Sequence, residues 1–323
     1  MNSPKDTVAV VRDGMYVILG ASGNTGSIIA NFLLSKGEKV RVVGREVGRL
    51  QRFARKGAEA FTADLSDAAA LTKAFSGARA AYLMLPPLNS REEQERQSDA
   101  ISKAVKESGL RYAVHLSSYG AHVSEGTGPV TGLHSSEQKL NAIGGLNVLH
   151  LRAAYFMENN LAAIDMIHGI GLFGHALLPD LKLPMIATRD VGDYAAQRLL
   201  DLDFSGKQTR ELLGERDLSM TEATAVIARG IGKPDLRYEQ FSVSPGATGV
   251  DANGFFAEES RGVHRDVPSH QCGSPRCAGA AFAAEQHADF VRKICAGCLC
   301  GRVSRKGSHR LGQRPGATGC ACF

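Results

Sequence analysis

The sequence has no tryptophan, and aromatic residues fill only 6% of its 323 positions. Its first 271 residues contain no cysteine, because all seven lie between Cys272 and Cys322. A small disulfide-stapled scaffold is excluded, and a chain of this length can bury a core without staples. Long hydrophobic runs are missing too, none approaching the roughly 18 to 20 residues that a membrane-spanning helix needs. Met1 to Asp13 lacks the basic start and apolar centre of a signal peptide, so the expectation is a cytoplasmic protein with no membrane partner. An excess of one charge is also missing from most of the chain. Of 38 basic and 33 acidic residues, ten and six fall in residues 243–323, which leaves 28 against 27 before that point. That near-neutral part offers no basic face, helix-turn-helix or zinc finger, so no direct nucleic-acid partner is expected. With 43% hydrophobic and 22% charged residues, the composition is that of an ordinary globular protein.

What is present is an alternation. The apolar run Met15 to Leu19 stops at Gly20 and gives way to a helical pattern from Gly26 to Lys36, with apolar residues at Ile28, Ile29, Phe32 and Leu33. Short β-branched runs at 39–43, 58–62, 80–85, 112–116 and 148–151 then alternate with helical patterns at 47–56, 68–75, 91–108 and 135–143. That order predicts an α/β fold, a doubly wound parallel sheet of the Rossmann type. The expected division is an N-terminal extension (1–13), a dinucleotide-binding domain (14–155), a small C-terminal substrate lobe (156–242) with helices at 191–202 and 221–230, and an atypical tail (243–323).

Gly20-Ala-Ser22-Gly23-Asn24-Thr25-Gly26 sits between the first strand and the first helix. There the first glycine permits a tight turn, the second lets backbone N–H groups approach a pyrophosphate, and the third lets the helix pack close to the sheet with its positive end toward the phosphates. Cofactor choice is set at the end of the second strand, where a carboxylate would hold a ribose 2′-hydroxyl and an arginine a 2′-phosphate. The sequence there reads Val43-Gly44-Arg45, with Arg41 and Arg49 nearby, which favours NADPH over NADH. The strand ends at Leu85-Pro86-Pro87 and at Ser117-Ser118-Tyr119 should border the nicotinamide half of the crevice.

The glycine spacing resembles the G-x-x-G-x-x-G form of extended and atypical short-chain dehydrogenase/reductases. Arg152-Ala-Ala-Tyr-Phe-Met-Glu-Asn159, Thr188-Arg-Asp-Val-Gly-Asp193 and Glu211-Leu-Leu-Gly-Glu-Arg-Asp-Leu-Ser219 narrow it, since they look like the NmrA-like family of that superfamily, from about Met15 to Ser242. The resemblance implies a Rossmann domain with a small C-terminal lobe. It also implies one of two functions: an NADPH-dependent reductase of quinone, azo or imine substrates, or a redox sensor that binds the dinucleotide and a protein partner without turnover. It places Asp64 and Leu65 at the adenine, and Tyr155, Phe156, Met157 and Asn159, joined by Phe173, around a flat conjugated substrate near Tyr119. The usual Tyr-x-x-x-Lys pair is missing. By the same resemblance His134 stands where several relatives carry the active-site lysine, and His134 with Tyr155 is expected near the reacting centre; imidazole is suited to proton exchange near neutrality. A homodimer is compatible with these features.

In the tail, Cys295-Ala-Gly-Cys298 has no well-spaced second C-x-x-C pair, so neither structural zinc nor a redox dithiol is the preferred account, and no metal is expected. The Arg, Gly, Pro, Ala and Cys bias from Val243 onward matches GC-rich coding sequence translated out of register, which leads to the expectation of a largely disordered tail.

Overall fold

The computed structural model describes residues 14–86 and 90–241. The N-terminal extension, Pro87 and the tail cysteines lie outside them. Strand β1 (Met15–Leu19) shows how the sheet is made. Tyr16 and Ile18 point into one core and Val17 and Leu19 into the other, the period of two that a strand covered on both faces requires. After it come α1 (Asn24–Ser35), β2 (Val40–Gly44), α2 (Val47–Ala54), β3 (Glu59–Thr62), α3 (Ala68–Phe75) and β4 (Ala78–Leu83). The alternation continues with α4 (Arg91–Ser108), β5 (Tyr112–Ser118), α5 (Val130–Asn141) and β6 (Asn147–Ala153).

Boundaries follow local chemistry. Asp67 and Ser90 cap α3 and α4 by accepting from Ala70 N–H and Glu93 N–H, and Gly109, at φ 68°, ends α4 in the left-handed conformation. Helix α5 begins at Val130, five residues before the expected start, behind Pro129. Gly132 weakens the helical signal there. It is needed for packing, because a Cβ at that position would collide with the Gln94 side chain of α4.

Beyond β6 the chain forms β7 (Tyr155–Phe156), a 3₁₀ turn (Met157–Ala163), α6 (Ile164–Gly169), β8 (Leu172–His175) and β9 (Leu183–Ile186). It continues through α7 (Thr188–Asp201), β10 (Lys207–Leu212), β11 (Asp217–Leu218), α8 (Met220–Gly230) and β12 (Arg237–Gln240). The main sheet is parallel throughout, in the order β10-β6-β5-β4-β1-β2-β3. A cut at residue 155 therefore does not divide the molecule. The chain leaves the sheet at β7, builds part of the lobe, and returns twice: α7 lies on α1, and β10 pairs with β6. Gly192 permits the first return, since a Cβ there would come within 2.8 Å of Ile28. The remaining segments, β7 to β9, β11, α8 and β12, share their own core around Phe173, Met185, Met220 and Ile227.

Candidate functional site

Strand order reverses between β1 and its two neighbours, β2 on one side and β4 on the other. In such a sheet a crevice opens beyond the carboxyl ends of the strands at this point. The turn from β1 into α1 fills its floor. Gly20 takes φ 63° with Met84 packed over it, and the Gly23 N–H donates to the Gly20 carbonyl at 2.9 Å. Gly26 is buried so tightly that a Cβ would collide with the Gly20 carbonyl, which accounts for the third glycine. Helix α1 starts at Gly23 with no side-chain cap and no acidic residue in its first turn. Its first N–H groups thus keep their hydrogen-bonding capacity and their positive potential for an anion. Asn24 and Gly23 are exposed and Ser22 is half-buried, whereas Thr25 is buried and bonds the Tyr82 hydroxyl at 2.8 Å, tying the turn to β4. Burial raises the Tyr82 phenol well above its ordinary value, so it is a structural partner. These residues fit a pyrophosphate.

At the end of β2 no carboxylate is present, and Arg45 is exposed beside Asp64. The Asp64 carboxyl is held below its usual range, first by its bonds from the Ser66 hydroxyl at 2.6 Å and backbone N–H at 2.8 Å and then by Arg45 and Arg96. Leu65 is buried beneath it. Of the neighbouring arginines, Arg41 is not part of this end of the crevice: it pairs with Glu59 at 2.9 Å and donates to the Ala74 carbonyl at the end of α3. Arg49 pairs with Glu46. Arg52, which sequence reasoning passed over, donates to the Ser22 carbonyl at 3.2 Å and so stands against the glycine turn. It sits one helical turn after Gly48, and nothing in a single sequence marks it out.

Beyond β4, Leu85 is buried and Pro86 half-buried. Ser117, at the end of β5, is 3% exposed and donates to Glu137 at 2.5 Å. Glu137 also takes both Arg152 Nε at 3.0 Å and Nη2 at 2.6 Å. The serine is thus bound to an ion pair, buried on its Glu137 side, that joins β5, β6 and α5, and the hydrogen bond to Glu137 raises the Arg152 guanidinium above its already high value. His134 lies one turn before Glu137 on α5, near the carboxyl edge of the sheet. Its Nδ1 is 2.8 Å from the Ala121 carbonyl, which fixes Nδ1 as the donor and leaves Nε2 unbonded among the described residues. Lys139, further along, is taken up by Glu95 and Asp99 of α4 at 2.6 Å each.

The expected substrate wall is divided by the structure. Phe173 is fully buried against Tyr238 and Tyr155 is 3% exposed, its hydroxyl donating to Asn160 at 3.1 Å. Both serve the lobe core, where an aromatic ring gains more from burial than it can as an open wall, so Phe173 is not a wall residue and Tyr155 has no free hydroxyl for proton transfer. Phe156 is half-buried against Ile186, Val191 and Leu116, where lobe and sheet meet, and Asn159 is half-buried in the 3₁₀ turn. Tyr119 is half-buried; burial, Glu211 and Asp217 raise its phenol. Met157, Asn160, Met185 and Ile227 line a small apolar pocket inside the lobe. Glu158 accepts from the backbone N–H and hydroxyl of Thr188 at 2.9 and 2.7 Å, so two of the sequence motifs are joined by a helix cap.

The sequence pattern of the NmrA-like family matches residues 13–245. The chain belongs to the NmrA-like family. An Escherichia coli NADPH-dependent quinone oxidoreductase solved with NADPH is 24% identical, with 71% of this chain and 79% of that one covered and a TM-score of 0.61. A Citrobacter sp. triphenylmethane reductase is 18% identical over 71% of this chain and 79% of that one, also with a TM-score of 0.61. A double mutant of NmrA itself is 16% identical, with 88% of this chain and 92% of that one covered and a TM-score of 0.63. At these identities the likeness is one of fold. No helix among the described residues is long and apolar enough to cross a membrane, and no group of three or more His, Cys, Asp or Glu side chains there can hold a metal ion.

Proposed function

We propose that this protein binds NADPH in the crevice above β1 and β4 and reduces a conjugated small molecule of the quinone, azo or imine type. The observation that carries the reading is the open N-terminus of α1 behind a turn in which Gly20 and Gly26 are sterically required, with arginine in place of a carboxylate after β2. Gly20, Gly23 and Gly26 shape the turn, Ser22 and Asn24 edge it, and Thr25 anchors it to Tyr82. Arg45 and Arg52 supply cationic donors for a 2′-phosphate, and Asp64 with Leu65 borders the adenine. Leu85 and Pro86 border the nicotinamide side, and Ser117, at the end of β5, supports it from behind through its bond to Glu137.

NADPH supplies a hydride when bound. The protein has to orient the acceptor and manage one proton, and hydride transfer to a conjugated acceptor needs no protein base. His134 is the residue placed for the proton: Ala121 holds Nδ1, so Nε2 is the atom that gives or takes it. Phe156, Asn159 and Tyr119 are the remaining side chains that border an acceptor.

Purified protein should quench NADPH fluorescence on binding and oxidise NADPH with at least one member of a panel of quinones, azo dyes and imines. His134→Ala should keep the binding and lose roughly 10²-fold or more in turnover. Tight binding with no turnover across the panel would overturn the reductase reading in favour of a sensor.

A further inference from the structure

Strands β5 and β6 carry, on the face covered by α5, two histidines that the proposed chemistry does not use. His115 and His150 are register neighbours, each 1% exposed, with ring planes crossed at 88° and Nδ1 atoms 3.0 Å apart. Their other nitrogens reach α5: His150 Nε2 lies 3.0 Å from Asn141 Oδ1, and His115 Nε2 lies 3.3 Å from Ser136 Oγ.

This geometry admits one consistent arrangement of protons. His150 Nε2–H donates to the Asn141 carbonyl oxygen, so His150 Nδ1 is an acceptor. His115 Nδ1–H donates to it, and His115 Nε2 accepts from the Ser136 hydroxyl. Every link is made with both rings neutral. A proton added to His150 sets two N–H groups against each other. One added to His115 reverses Ser136 and places a charge where no carboxylate is free to meet it. Glu137 of α5 is held by Arg152 and Ser117, and Glu95 and Asp99 of α4 are held by Lys139. Arg152 of β6 and Lys207 of β10 add positive charge; the Lys207 ammonium, lowered by burial, donates to the Leu140 carbonyl of α5 at 3.4 Å and to the Ile143 and Leu146 carbonyls that follow the helix at 2.8 and 2.7 Å. Burial therefore lowers His115 well below its ordinary value and His150 to about 4.

We propose that the Ser136–His115–His150–Asn141 layer is an acid-released clasp on α5, which docks the helix on β5 and β6 while both imidazoles are neutral and frees it when they take up protons. The clasp stands apart from the reductase reading; only its consequence for His134, which rides on α5, depends on that reading. The sign follows from linkage. Unfolded histidines take up protons near pH 6.5, whereas these resist until lower pH, so the unfolded chain binds more protons and stability falls as the pH drops through that window.

Urea unfolding of the full chain at pH 7 and 5.5, without cofactor, tests this directly. The unfolding constant of the wild type should rise on the order of fiftyfold more than that of the His115→Phe, His150→Leu double variant, since each histidine contributes up to about tenfold per pH unit. Equal pH dependence in the two proteins would overturn the clasp. If the variant does not fold, the ring proton resonances of the wild type decide: two histidines should stay neutral down to below pH 5.5, and titration of every histidine above pH 6 would overturn the proposal. Hydrogen exchange, corrected for intrinsic rates, should show α5 losing protection at pH 5.5 while α1 keeps it; equal loss in both helices would remove the assignment to α5.

Discussion

On one side of β1, strands β2 and β3 and helix α2 close the sheet largely with apolar side chains such as Val40, Val42, Val43, Leu50 and Phe53. Past β4, strands β5 and β6 and helix α5 bury Ser117, Glu137, His115 and His150, with the half-buried Arg152 paired to Glu137. The first half draws its polarity from the backbone, through glycines that expose N–H groups to an anion. The second draws it from side chains that satisfy one another out of water. Backbone polarity costs little to keep and leaves the site open. Paired side-chain polarity makes the helix position depend on every partner being present and correctly protonated.

Three measurements probe that contrast, beginning with the largest effect. Glu137→Ala removes the buried carboxylate that holds the half-buried Arg152 guanidinium and the Ser117 hydroxyl, and should lower the unfolding free energy by about 3 kcal/mol, read by urea titration at pH 7.5. A loss under about 1 kcal/mol, the range of an exposed pair, would put the two halves on the same footing. Gly26→Ala forces a methyl group against the Gly20 carbonyl and should cost about 1–3 kcal/mol of stability. It should also weaken NADPH binding at least about tenfold, because the turn must open to relieve the clash. Unchanged affinity would show that the turn is not the phosphate site. The smallest effect is the most selective. Arg45→Ala should reduce affinity for NADPH about tenfold, through one lost charge-assisted hydrogen bond, and leave NADH nearly untouched. Equal losses for both dinucleotides would move Arg45 away from the 2′-phosphate.

The same contrast explains what could be read from the residues alone. Elements of the first half, and the glycine turn, are legible because each depends on neighbours in sequence: a short continuous apolar run, or a glycine at a fixed offset. Strand β10 was not legible. Lys207-Gln-Thr-Arg-Glu-Leu212 is mostly exposed at the sheet edge, so it has no buried alternation to announce it. The Ser117–Glu137–Arg152 set was equally hidden, since three unremarkable residues acquire meaning only when two strands and a helix bring them together. Arg41 shows the converse: its position beside Arg45 in the chain suggested a cofactor contact, while the alternation of β2 aims it at Glu59 and the end of α3. The family resemblance sets Tyr155 and Phe173 around a substrate, whereas an aromatic ring beside a strand is more often core, and the lobe core takes both.

The return of the chain to the main sheet has a consequence during synthesis. When residues 14–156 have left the ribosome, six strands of the main sheet exist but β6 still shows an unpaired row of backbone groups, and α1 lacks the helix that covers it. Both defects persist until α7 and β10 have emerged, more than fifty residues later, so a nascent chain passes through a stage with an adhesive edge and an open apolar face. The charged, mostly exposed sequence of β10 then ends the hazard, sealing the sheet with a strand too polar to recruit another.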